Sequence, residues 1–266
     1  MAITTDWIPT AERVQVTGCT GPGITQFGEW SVTLHTLEGS IATALRLFQE
    51  RPCYCPHLTI APKSRRVVQH IPLSWPAAAL NNDTGGVETN RAREIQIEIE
   101  GFAAEAHLWP DDELAFIGGV LADVVACGVP INLDHHPRFV GTEAGFIARK
   151  DAPQRMSPAA WYAFDGVCGH QHVPENDHWD PGRLDIDTVI RHAKARLGQP
   201  DNDEEGELMA AIDDIRAEFV NQDTRTRAAL EKQEADVKEW VTREAERTRD
   251  ELVNLLVNKG VIPKGS

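Results

Sequence analysis

A change of texture near residue 200 constrains this chain more than any other feature. From Glu204 to about Asn258 there is no proline and a single glycine, Gly206, and the segment is rich in Glu, Ala, Arg, Leu and Lys. Those side chains lose little freedom in a helix, whereas proline and glycine oppose one. Apolar residues recur at Leu208, Ile212, Ile215 and Phe219, then through Leu230, Val237, Trp240 or Val241, Leu252 and Leu255 or Leu256. The spacing approximates a heptad seam, with polar interruptions at Gln222, Thr226 and Gln233. It predicts one long helix or a helical hairpin of coiled-coil character. Such a helix is marginal alone and needs a partner face. A second copy of the chain or the body of the first part would supply it: an oligomerisation or targeting stalk is expected, with a homo-oligomer through the C-terminal helix favoured, and a plain solvated extension is the simpler alternative.

The preceding residues have varied composition, nearly all the glycine and proline, and all but one of the seven tryptophans. Two parts follow: a domain over 1–198, and a linker with helical tail over 199–266. In the first part the pattern predicts strands at Val14–Gly18, Val32–Thr36, Leu58–Ala61, Val67–Ile71 and Ile95–Glu100. Helices are expected at Ser40–Arg51, Asp111–Cys127, Ser157–Phe164 and Ile186–Leu197. Ala61-Pro62-Lys63-Ser64-Arg65-Arg66 reads as a hairpin turn. The sum is an α/β fold, a central mixed sheet flanked by helices.

Charge narrows the partners. A formal net charge of -15 and a pI near 5.1 argue against nucleic acid, whose phosphates require concentrated Lys and Arg. No run of 18 apolar residues occurs, so no transmembrane segment is expected. The N-terminus lacks a basic start and an apolar stretch, so no secretory signal is expected there. The five cysteines are odd in number and mostly scattered, which suits buried thiols in a reducing compartment.

The segment Gly169-His170-Gln171-His172-Val173-Pro174-Glu175-Asn176-Asp177-His178-Trp179-Asp180-Pro181-Gly182 gathers imidazoles and carboxylates. These are the groups that hold zinc, and a catalytic zinc takes three of them plus an open position. His35 lies far upstream in an apolar run with strand character. One distant ligand on a strand and two on a late loop would give a rigid, open site. His172 competes for a ligand position, although at two residues from His170 it would point the other way on a strand. His57 and His70 read as buried or sheet-surface histidines, and His135-His136 as a loop feature at the rim of a groove. Period-two alternation in Ile95–Glu100 places Gln96, Glu98 and Glu100 on one face. The simple reading is a half-buried strand with a wet face; if that face meets the metal loop, a glutamate there becomes a candidate general base.

Four segments in order resemble the zinc-dependent N-acetylmuramoyl-L-alanine amidases of the peptidoglycan-recognition-protein fold, especially bacteriophage endolysins directed at actinobacterial hosts. They are Val32-Thr33-Leu34-His35-Thr36-Leu37-Glu38-Gly39, Pro56-His57-Leu58-Thr59-Ile60 with Val67–Pro72, Ile97-Glu98-Ile99-Glu100-Gly101, and Gly169-His170 through Asp180-Pro181-Gly182. The likeness covers about residues 10 to 197. It implies Zn2+ held by His35, His170 and Asp180, a catalytic Glu98, and His178 where many relatives have a lysine that steadies the transition state. Many relatives carry a tyrosine where this chain has Pro56; Tyr54 is offset by two. Asp177, Asp185 or Glu175 would orient the ligand imidazoles. The resemblance further implies bacterial peptidoglycan as substrate, bacteriolysis, and residence in the host cytoplasm until lysis and at the cell wall afterwards. A non-catalytic peptidoglycan-binding or virion-associated protein of the same fold is the alternative. The tail has no counterpart in that family.

Overall fold

The isoleucine alternation becomes the middle of a sheet. In the computed structural model, residues 3–18, 27–141, 149–199, 238–239, 242–261 and 263 are described. Strands β1 (Glu12–Arg13), β2 (Phe27–Thr36), β3 (Leu58–Ala61), β4 (Arg66–Gln69), β5 (Ala92–Ile99) and β6 (Val167–Gly169) form one six-stranded sheet in the order β1-β4-β3-β5-β2-β6. All neighbours are parallel except β3 and β4, which form the hairpin expected around Pro62–Arg65. The sheet is therefore mixed, and the fold is α/β. The chain divides into two compact units, Met1–Asp201 and Asn202–Ser266.

One face of the sheet is apolar. Val32, Leu34, Ile95, Ile97, Ile99, Leu58 and Ile60 pack there with Leu114, Ile117 and Leu121 of α2 (Asp111–Ala126) and Val189 and Ile190 of α4 (Ile186–Leu197). Side chains alternate across a strand, so the other face receives Ser31, Thr33 and His35 from β2, Thr59 from β3, and Glu94, Gln96 and Glu98 from β5. That face is not the wet one expected. Thr33, Thr59 and Gln96 are fully buried, because α1 (Ile41–Glu50), α3 (Pro158–Ala163) and the 71–91 segment carry two further apolar clusters. Ser40 and Ser157 cap α1 and α3 through their side-chain oxygens, and Asp185 caps α4.

The elements depart from expectation at their margins. β1 ends before Val14, yet Val14 and Val16 still donate backbone hydrogen bonds to Gln69 and His70, so the pairing expected for 14–18 continues irregularly. β6 is only three residues long, too short for a periodicity signal. In the tail, residues 242–258 are helical, with Arg243–Glu239 and Arg247–Glu251 pairs one turn apart and Leu252 and Leu255 exposed. The stripe positions from Leu208 to Val237, and Trp240 and Val241, lie outside the described residues. No helix among the described residues is long and apolar enough to cross a membrane.

Polar groups on the buried face need partners. The Thr33 hydroxyl donates to Glu94 Oε1 at 2.6 Å, and Gln96 donates to Asn90 at 3.0 Å. Burial raises the Glu94 carboxyl to about 8, against the opposing pull of Arg91. The folded chain thus keeps this proton where the unfolded chain, ionising near 4.3, has lost it. Stability from this group is full below that lower value and falls as pH climbs toward the higher one, by at most about 1.4 kcal/mol per unit. Urea titrations at pH 5 and pH 8 should show a smaller loss of stability for Glu94→Gln than for the native chain; equal losses would contradict the assignment.

Candidate metal centre

His35 occupies the C-terminal end of β2, with Glu98 directly beside it in register on β5. β6 runs along the other side of β2 and delivers His170 immediately past its end. The chain then loops through 173–179 and returns at Asp180. Gly169 permits the closure: a Cβ there would stand 2.7 Å from Pro181 and 2.8 Å from the Phe139 ring. The glycine and proline of the Gly-His … Asp-Pro segment therefore meet as one packing contact.

Three buried donors converge: His35, His170 and Asp180 are 1%, 4% and 6% exposed. His35 Nδ1 lies 3.1 Å from His170 Nδ1 and 3.7 Å from Asp180 Oδ2, and His170 Nδ1 lies 3.2 Å from Asp180 Oδ1. Among the described residues this is the group of histidine and acidic side chains whose atoms could share a metal ion. Bonds of about 2.0–2.1 Å to a tetrahedral ion set its donor atoms about 3.3 Å apart, close to these separations. Two imidazole nitrogens and one carboxylate oxygen are also the donor set that zinc takes.

Protonation favours the same reading. Asn176 donates through Nδ2 to the carbonyls of Asn81 and Pro174, so its Oδ1 faces His170 Nε2 at 2.9 Å as an acceptor. His170 then carries a proton on Nε2, and Nδ1 is the ring nitrogen turned toward His35 and Asp180. Burial, and then the neighbouring His170, hold the His35 imidazolium down to about 3, so this ring is neutral. Burial alone would raise Asp180, but His170, His178 and His35 around it bring its carboxyl well below the usual range. A backbone N–H from Thr36 also donates to Asp180 Oδ2 at 3.2 Å. Bare lone pairs and a carboxylate facing one another repel unless a proton or a cation lies between them. His35 Nε2 is buried without a partner among the described residues, so the ring is anchored only from the Nδ1 side.

Glu98 borders the same cavity of about 560 Å³, as do His178 and Tyr54. Burial, then Asp180 and Glu38, raise the Glu98 carboxyl well above its ordinary value, and its Oε2 has no partner among the described residues. His178 stacks on His170 with ring centroids 4.5 Å apart, and its Nδ1 is 3.5 Å from Asp180 Oδ1. The contact with Asp180 raises the His178 pKa despite partial burial. Tyr54 is 44% exposed at the wall, while the Pro56 position is buried.

Other histidines are spoken for. His172 accepts from Gly169 N and faces the Arg138 carbonyl. His57 accepts from Gln96 N and faces the Trp75 carbonyl, and His70 lies between Thr59 and Val14. His135 and His136 border a separate cavity and contact Asp165 and Asp187. The carboxylates expected to orient the ligand rings do other work: Glu175 accepts from Val87 N, Asp185 caps α4, and Asp177 lies 3.9 Å from His178. Asn176 orients His170 instead; an amide leaves no charge signature in a sequence. Arg155 was equally invisible. Its guanidinium donates to the carbonyls of His170 at 3.2 Å, Val173 at 2.9 Å and His178 at 2.7 Å, fastening the loop that carries the site.

No family model and no curated protein matches the chain. Among solved structures it is similar to the N-acetylmuramoyl-L-alanine amidase LysC from Clostridium intestinale URNW, at 13% identity over 72% of this chain and 99% of that one, with a TM-score of 0.40. It is similar to the Staphylococcus aureus hydrolase AmiA in complex with its ligand, at 13% identity over 72% and 86%, TM-score 0.42. Citrobacter freundii AmpD gives 15% identity over 47% and 76%, TM-score 0.33. Scores this low have no bearing on the chemistry of the site.

If Asn176 sets the bare nitrogen of His170, Asn176→Ala should weaken Zn2+ binding by about 10- to 100-fold in chelator competition, and Asn176→Asp, which keeps an acceptor, should restore most of it. Unchanged affinity in the alanine variant would refute the role.

Proposed function

We propose that this chain is a zinc-dependent N-acetylmuramoyl-L-alanine amidase that cleaves peptidoglycan, and that it acts as a phage endolysin. The observation that carries the proposal is the buried convergence of His35, His170 and Asp180 at the mouth of a cavity, with Glu98 beside them in register. The bond attacked is inferred from the four ordered segments that resemble that family, not from the geometry.

A zinc ion bound by the three side chains supplies a Lewis acid for the amide carbonyl and lowers the pKa of water. The remaining steps belong to the chain itself. Glu98 accepts a proton from the attacking water and delivers it to the leaving amine, without which amide cleavage is slow. The raised Glu98 carboxyl suits a group that must also give its proton back. His178, exposed on one side and stacked on His170, presents a donor to the oxygen on which charge develops. The walls contributed by Leu47, Phe48 and Tyr54 shield the reacting amide from bulk water.

Glu98→Gln keeps the shape and removes the base. Hydrolysis of purified cell wall, read as released amino groups, should fall by about 10²- to 10⁴-fold with zinc content unchanged. Zinc with no hydrolysis by the native chain would favour the non-catalytic peptidoglycan binder; near-native hydrolysis by the variant would remove Glu98 from proton transfer.

A further inference from the structure

One acid at the metal centre has no part in the proton transfers above. Glu38 follows the end of β2 by two residues, stands exposed at the wall of the cavity that holds His35, His170 and Asp180, and has φ +48. Few residues other than glycine enter that left-handed region; those that do persist where their surroundings hold them, often at functional sites. Its place just before α1 suggests a helix-dipole role. α1 is already served: Ser40 caps it by accepting from Thr43 N, and Glu100 accepts from Ile41 N at 2.8 Å. The Glu38 carboxylate is engaged elsewhere.

Its Oε1 takes two donors, the Thr36 hydroxyl at 2.7 Å and the Ala103 backbone N–H at 2.8 Å. Both partners bear on Asp180. The backbone N–H of the same Thr36 donates to Asp180 Oδ2 at 3.2 Å. Asp180 Oδ1 faces His170 Nδ1 at 3.2 Å and His178 Nδ1 at 3.5 Å, so the Thr36 N–H fixes which oxygen turns toward those rings. Ala103 backs the residues that follow the ligand: Gly182 has φ +66, and a Cβ there would run into the Ala103 carbonyl. Backbone hydrogen bonds in both directions between Gly39 and Gly101 close the end of the sheet beside them. Glu38 therefore joins the strand end that holds the Asp180 carboxylate to the turn that seats the backbone after it.

We infer that Glu38 is a positioning residue for Asp180, acting through Thr36 and Ala103 to set the rotation of that carboxylate and the seat of its loop. A carboxylate oxygen can accept both hydrogen bonds at once, and bonds to a carboxylate are the stronger kind. The left-handed backbone is then accounted for. A glycine would adopt it more easily, but a glycine has no oxygen to offer the two donors. The inference rests on the reading of His35, His170 and Asp180 as a metal centre, and not on which bond the chain cleaves.

Chelator competition for Zn2+ and the visible spectrum of the Co2+-loaded full chain test this without turnover. Glu38→Ala should weaken Zn2+ binding about tenfold or more, in the range of lost outer contacts to metal ligands, and shift the Co2+ absorption. Glu38→Gln, which keeps the backbone conformation under the same cost and retains an acceptor oxygen, should restore most of both. Thr36→Val keeps the backbone N–H and removes only the hydroxyl; it should weaken binding in the same direction, and should add little when combined with Glu38→Ala. A lower melting temperature with unchanged Zn2+ affinity in Glu38→Ala would reduce Glu38 to a brace of the sheet end and overturn the inference, as would full additivity of the two substitutions. Amide exchange in the metal-free chain separates this link from the metal reading. The Thr36 N–H should lose protection in Glu38→Ala, and unchanged protection would overturn the link. A native chain that binds no zinc, yet whose Glu38→Ala variant shows that loss, would leave the link to Asp180 standing and count against the metal centre alone.

Discussion

Three electron-rich groups are held against one another in the interior, and much of the surrounding structure exists to keep them there. Imidazole nitrogens and a carboxylate oxygen between 3.1 and 3.7 Å apart are a repulsive arrangement unless a proton or a cation lies among them. Parallel pairing fixes two of the three positions, since β6 and β5 flank β2 and place His170 and Glu98 on either side of His35. The third depends on a loop whose geometry is set by the Gly169–Pro181 contact, by Arg155 on its carbonyls and by Thr36 on Asp180.

Burial decides the charge states. It keeps His35 neutral and raises the Glu98 carboxyl well above its ordinary value, while the surrounding imidazoles keep Asp180 ionised. A single low-polarity setting thus produces a neutral His35 ring, one anionic oxygen donor and a nearby acid of raised pKa. The same face of the sheet carries other histidines, yet His57, His70 and His172 are tied to backbone or hydroxyl groups on both nitrogens, which separates fold-holding imidazoles from those left bare.

Local rules made much of this legible. The Ile95–Ile99 alternation placed Gln96 and Glu98 on one side of a strand, and the helices expected from Ser40, Ser157 and Ile186 begin where the structure has the side-chain caps Ser40, Ser157 and Asp185. The wet face did not survive, because its cover comes from α1, α3 and the 71–91 segment, and period-two patterning says nothing about what will lie across a face. β6 was too short to show a period. Asn176 and Arg155 act through neutral amide chemistry and backbone carbonyls, which leave no spacing rule.

The most direct test is zinc stoichiometry measured together with wall hydrolysis, on the native chain and on Asp180→Ala. One zinc per chain with cleavage of the muramoyl-alanine amide, both lost or sharply reduced in the variant, is the predicted result. A native chain that binds no zinc would contradict the metal centre, however closely its donor atoms converge.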